Sequence, residues 1–136
     1  MIHLDTTFLV DLLRESARKK PGRASALLRE IEEEEFAASV HVLCELHAGV
    51  ELSKNPDEER ERVELLCQGF TIVCPSTRFS LVYGELLASL ERKGERIGVM
   101  DLLIATSAVI DKSALVTANL SEFRRVPGLS VIIHAV

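Results

Sequence analysis

Tryptophan does not occur in this 136-residue chain, tyrosine occurs once, and aromatics make up only 4% of it. A core without wide rings has to be filled by Leu, Val, Ile and Ala. Cysteine is scarce too, with only Cys44, Cys67 and Cys74. An odd number without a Cys-x-x-Cys spacing gives neither a disulfide framework nor a zinc ligand set. The expectation is buried, reduced thiols that pack as small hydrophobes, in a cytoplasmic protein. Long apolar runs are also missing. The most apolar stretch, Leu102 to Ile110, falls far short of the about 20 residues of a membrane helix. Asp5 interrupts the N-terminus before an apolar region can form, so no signal peptide and no membrane partner are expected.

Several catalytic signatures are absent as well. There is no GxxxxGK[ST] and no GxGxxG to cradle a nucleotide, and no GxSxG elbow for a serine hydrolase. A phosphatase with an Asp nucleophile would carry a second acid two residues after Asp5, where this chain has Thr7.

What remains is an ordinary globular balance, with 47% hydrophobic and 27% charged residues. The length fits one domain spanning residues 1–136. The net charge of −5 speaks against nucleic-acid binding by overall electrostatics. The charges are unevenly distributed, however. Basic residues gather at Arg14–Lys20, at Arg92 to Arg96 and at Arg124 and Arg125, and acids at Glu30–Glu35 and Asp57–Glu64.

The pattern of elements is legible. Met1–Leu4 reads as a buried strand, after which Asp5 or Thr6 caps a helix to about Glu15. Pro21 suits the first turn of a second helix running through Glu32–Glu35. Phe36–Ala38 is a strand and Ser39 the cap of a third helix. Asn55-Pro56-Asp57-Glu58 opens a fourth. Phe70–Cys74 is a third strand. Helices follow over Ser76–Lys93, ended by Gly94, and over Asp101–Lys112. Ala114–Thr117 and Val131–Ile133 complete the strands. Strands alternating with helices imply a parallel sheet covered on both faces. In such folds ligands bind beyond the carboxyl ends of the strands, which singles out Asp5, the start of the Ser39 helix and Asn119.

Three carboxylates then stand out. Asp5 fits a helix cap, but Thr6 can fill that role and leave Asp5 free. Glu45 lies in the helix Val40–Val50, apolar nearly all round and so expected to be mostly buried; a carboxylate there is costly unless paired or bound to a cation, though a seat on a partly exposed seam is the other reading. Gly49, one turn on, fits close approach of another backbone or a substrate. Asp101 opens the most apolar helix, where either the helix dipole or a ligand accounts for it. The fold places all three near one end of one sheet. Two carboxylates 4–5 Å apart repel by roughly 3–4 kcal/mol at an effective dielectric of 20, so a trio raises its pKa values or recruits a cation. Hard oxygen ligands suit Mg²⁺ or Mn²⁺. His3 and His134 read as structural, and His41 and His47, six apart, do not share a ligand face.

The chain resembles the PIN-domain ribonucleases, and in particular their VapC-type toxins. Ile2-His3-Leu4-Asp5-Thr6-Thr7-Phe8-Leu9 is similar to the family's first motif, and Ser39 to Gly49 to its second. Asp101-Leu102-Leu103-Ile104-Ala105 is similar to the third, and Thr117 to Phe123 with Arg125-Val126-Pro127-Gly128-Leu129 to the fourth. The resemblance implies a three-layer αβα sandwich with a mostly parallel sheet. It also implies an endoribonuclease dependent on Mg²⁺ or Mn²⁺, an RNA substrate, an inhibitory antitoxin and a homodimer. The implied catalytic residues are Asp5, Glu45, Asp101 and Asn119, with Asp5 and Asp101 as metal ligands and Glu45 as a third ligand or a positioner of water. Asn119 stands where the wider family often has Asp, which removes a charge from a second metal position. Thr6 and Thr117 would hold ligands or waters, Thr7 would orient Asp5, and Arg14, Arg124 and Arg125 would contact RNA phosphates. Two other readings compete: a non-catalytic binding module of the same fold, and a metal-dependent phosphatase on an α/β sheet.

Overall fold

A computed structural model describes residues 1–134. Its elements run β1 (Ile2–Leu4), α1 (Thr6–Arg18), α2 (Arg23–Glu30), β2 (Phe36–Ser39), α3 (Val40–Leu52), α4 (Pro56–Cys67), β3 (Thr71–Val73), α5 (Phe79–Lys93), α6 (Val99–Ile110), β4 (Ala114–Thr117), α7 (Leu120–Phe123) and β5 (Val131–Ile133). The strands form one parallel sheet in the order β3-β2-β1-β4-β5. The chain moves from β1 outward to β3, then crosses back to β4 and β5. Right-handed crossovers therefore put α1–α4 on one face and α5–α7 on the other. The helix contacts agree: α1 packs on α2 and α4, α3 on α4, and α6 on both α5 and α7. The result is a three-layer αβα sandwich. Helix α3 also meets α6, and this contact matters for the site.

The central strands are buried and the edge strands are not. Ile2–Leu4 is buried throughout, as are the last three residues of β2 and of β4, whereas β3 and β5 are largely half-buried or exposed. The core is aliphatic, as the composition requires: Leu4, Leu9, Leu90, Leu102, Ile104 and Leu115 are fully buried, with Phe8 and Phe123 as aromatic members.

Several expectations need correction. Helix α1 runs to Arg18 because Lys19 adopts the left-handed conformation (φ 53°) and its neighbour Lys20 donates back to the Glu15 carbonyl, closing the helix end. Helix α2 begins after Pro21 and stops at Glu30, leaving Glu32–Glu35 outside it. Four carboxylates at the negative end of a helix dipole oppose its continuation. Helix α5 starts three residues late, at Phe79, and α6 two residues early, at Val99, which seats Asp101 in its first turn. The short α7 was not anticipated. The cysteines are not buried: Cys44 and Cys74 are exposed and Cys67 half-buried. Nor is α3 buried all round. Val42, Leu46 and Val50 face inward, while Cys44, His47, Ala48 and Gly49 face outward. An alanine Cβ built at Gly49 meets no atom within 4 Å, so no close approach among the described residues explains that glycine.

Candidate active site

The return of the chain from β3 to β4 makes a topological switch point between β1 and β4, where a crevice opens beyond the strand ends. Asp5 is the first residue after β1, and its N–H bonds the Val116 carbonyl of β4 at 2.9 Å. It occupies the cap position of α1 in an extended conformation, but its side chain caps nothing. Instead Asp5 Oδ2 accepts from the Thr117 hydroxyl at 2.6 Å and from the Thr7 hydroxyl at 3.0 Å. Those hydroxyls are themselves aimed by backbone. The Asn119 N–H donates to Thr117 Oγ1 at 2.9 Å, and the Ala118 N–H to Thr7 Oγ1 at 3.0 Å. Each threonine oxygen thus accepts a hydrogen bond from one peptide N–H and directs its own hydroxyl proton toward Asp5.

Glu45 comes from the middle of α3 and Asp101 from the start of α6, so the α3–α6 contact is what brings them to the same crevice. Thr6 donates to Glu45 Oε1 at 2.6 Å. Asn119 reaches toward Asp101 with Nδ2, 3.5 Å from Oδ2, while its Oδ1 accepts from Ser121 at 3.3 Å. Asp5, Thr6, Thr7, Glu45, Asp101 and Arg14 line one cleft of about 390 Å³. Three elements therefore deliver three carboxylates to one opening.

The electrostatics show the crowding. Burial raises Asp101 most, and Asp5, Glu45 and Glu122 add repulsion, so its pKa stands at about 6. Burial also raises Asp5, against the pull of Thr117, Thr7 and the first amides of α1 toward the charged form. Glu122 was not singled out from the sequence. It is half-buried in α7, three residues after Asn119, a spacing shared by helix cap and first-turn acid, and that spacing was the available signal.

The other sequence candidates separate. Arg14 lines the carboxylate cleft. Arg124 and Arg125 line a different one with Gly94 and Glu95, where Arg125 is tied to the Arg96 carbonyl at 3.0 Å. His3 and His134 are buried and bonded to Asp111 and Asp11, each at 2.8 Å.

The chain as a whole is similar to known proteins. The PIN domain family matches residues 2–129. Ribonuclease VapC2 of Rickettsia felis is 40% identical over 94 residues, 69% of this chain and 70% of that protein. Ribonuclease VapC1 of Haemophilus influenzae is 29% identical over 126 residues, 93% of this chain and 92% of that protein. Among solved structures, VapBC2 from Rickettsia felis bound to a DNA fragment from its promoter contains a chain that superposes with a TM-score of 0.87. That chain is 33% identical, and the match covers 97% of this chain and 98% of that one.

Proposed function

This chain belongs to the PIN-domain family, and on that premise we propose that it is a metal-dependent endoribonuclease, the toxin of a toxin–antitoxin pair. The observation that carries the reading is the convergence of Asp5, Glu45 and Asp101 on one cleft, in a chain whose relatives are named ribonucleases. The antitoxin is supported by the VapBC complex among the structural neighbours. No helix among the described residues is long and apolar enough to cross a membrane, which accords with action in the cytoplasm. The apolar, outward face of α3 suits a homodimer.

The donor set fits Mg²⁺ or Mn²⁺. Among the described residues no three His, Cys, Asp or Glu side chains form a ready-made metal shell. Mg²⁺ does not require one, since it is commonly held by one or two carboxylates, with waters and substrate oxygens completing the shell. Asp5 and Asp101 would hold it, with Glu45 as third ligand. Bound there, the ion supplies an activated water and neutralises charge on the phosphate.

The chain's own residues do the rest. Thr7 and Thr117 fix Asp5 in one orientation, so ligand geometry is set before substrate arrives. Thr6 holds one oxygen of Glu45, which steadies its carboxylate for ordering a water beside a phosphodiester. Asn119 steadies Asp101 without adding a fourth charge. Arg14, at the rim, offers a guanidinium to phosphate oxygen.

The test is incubation of the purified chain with a panel of cellular RNAs in Mg²⁺, in Mn²⁺ and in EDTA. Discrete internal cleavage that needs metal and disappears with Asp5→Asn is expected. Equal cleavage in EDTA, or by the variant, refutes the proposal.

A further inference from the structure

A second cleft, of about 440 Å³, adjoins the carboxylate cleft, and Asp11 lines both. Arg18, Lys20 and Arg23 line it, together with Glu15 and His134. The chain reverses at Lys19, in its left-handed conformation, so residues from the end of α1 and the start of α2 close around one opening.

The acids of this cleft are already engaged. Glu15 Oε1 accepts from the Gly22 N–H at 2.6 Å and from the Ser25 hydroxyl at 2.6 Å, and Oε2 accepts from the Ala24 N–H at 2.9 Å. Asp11 Oδ2 is bonded to His134 Nε2 at 2.8 Å, and its other oxygen lies 3.7 Å from Arg14. The cations are in the opposite condition. Arg18, Lys20 and Arg23 are exposed, and among the described residues none has an ion-pair partner. By contrast Arg60 and Arg62 on α4 are each bridged to two carboxylates. What sets them apart from the other unpaired cations is their place, since all three line one opening next to the carboxylate cleft.

Resting on the nuclease reading, we propose that this second cleft is the track for RNA backbone flanking the cut, with Arg18, Lys20 and Arg23 contacting phosphates. A polynucleotide seated at the carboxylates has to leave the cleft across neighbouring surface, and each nucleotide carries a negative charge. This exit is contiguous with the site, and its three cations stand beside two acids that are already hydrogen-bonded. Arg14, Arg18 and Asp11 lie at helical spacings of three and four on α1, so Arg14 and Arg18 extend the same face one turn apart, about 6 Å along the axis. The cleft with Arg124 and Arg125 shares no lining residue with the carboxylates.

The test reads binding without metal, so absent cleavage by the parent chain counts against the nuclease reading alone. A labelled single-stranded RNA of about 12 nucleotides, within the usual footprint of single-strand binders, is titrated in EDTA at several salt concentrations. The triple variant Arg18→Gln, Lys20→Gln, Arg23→Gln is compared with a charge-matched control, Lys54→Gln, Arg60→Gln, Arg62→Gln. The cleft variant is expected to bind at least about 10-fold more weakly. Its slope of log affinity against log salt should flatten by about 2, from three contacts at roughly 0.7 each. With metal, its KM for long RNA should rise while cleavage of a dinucleotide stays unchanged. Equal losses in both triple variants, or unaltered RNA binding, overturn the track. Polyglutamate is titrated in parallel, and a loss of its binding with RNA binding unaltered also overturns the track and assigns the cleft to an acidic protein partner.

Discussion

The Thr117 hydroxyl lies 2.6 Å from Asp5 Oδ2 and joins two residues that are 112 positions apart in the chain. The bond crosses from the end of β4 to the end of β1. It is one of the contacts that favour the charged form of a buried carboxylate and so oppose the effect of burial, which raises Asp5. Thr117→Val keeps the shape and removes the donor. The loss leaves a buried carboxyl group short of a partner, and about 1–3 kcal/mol of stability should go with it. RNA cleavage should fall as Asp5 becomes harder to ionise, and Thr117→Ser should restore both properties. A valine variant with the parent's melting temperature and rate would show the bond to be idle.

Asp101 separates catalytic need from stability. Its folded pKa, about 6, lies above the ordinary carboxylate value. The folded state therefore holds a proton that the unfolded state has released between about pH 4 and 6, and stability without metal falls as pH rises through that window. Asp101→Asn removes the penalty. In EDTA the variant should melt higher than the parent at pH 7.5 and level with it near pH 4. With metal it should cleave RNA at least about 100-fold more slowly, as loss of a main electrostatic stabiliser does. If Asp101 served only as a helix-end charge, the variant would melt lower than the parent at pH 7.5 and cleave RNA at the parent's rate.

Glu15 titrates in the opposite sense. Burial alone would raise it, but the Ser25 hydroxyl and the Gly22, Ser25 and Ala24 amides together outweigh burial and hold it at about 2. Its stabilising contribution is present above its unfolded pKa, near 4.5, and is lost as pH falls toward 2. Glu15→Gln should lower the melting temperature at pH 7 and flatten the acid limb of the stability curve. Parallel curves for variant and parent between pH 2 and 5 would contradict this.

Gly49 offers a gain. An added methyl group meets nothing, and alanine favours a helix interior by about 1 kcal/mol over glycine. Gly49→Ala should raise the denaturation midpoint of the isolated chain. A fall instead would mean that another molecule or copy already packs there.

Sequence and structure agree where position in a parallel sheet dictates chemistry. Asp5 follows a short apolar strand, and Asp101 opens an apolar helix, so both could be placed near the strand ends. Glu45 was found for a partly mistaken reason. Its helix is expected to be mostly buried, but a helical wheel cannot tell whether an apolar face is covered by its own chain. Buried cysteines are expected only from the general habit of free thiols to pack as small hydrophobes, which does not locate any particular one. The reach of Glu15 across seven residues to Gly22, which governs where α2 starts, leaves no local pattern. Glu122 was hidden because α7 has only four residues, too few to show a periodicity.

The position of β1 at the centre of the sheet has a consequence for synthesis. Its first neighbour, β2, emerges from the ribosome early, but its other neighbour, β4, is among the last strands made. Until Ala114–Thr117 is available, Asp5 has neither the Val116 carbonyl for its N–H nor the Thr117 hydroxyl for its carboxylate. Asp101 likewise has no Asn119 beside it. A nascent chain, or one truncated before β4, therefore carries all three acids without an assembled site. On the proposed reading, RNA in the cell is exposed to cleavage only once β4 has been made and paired with β1.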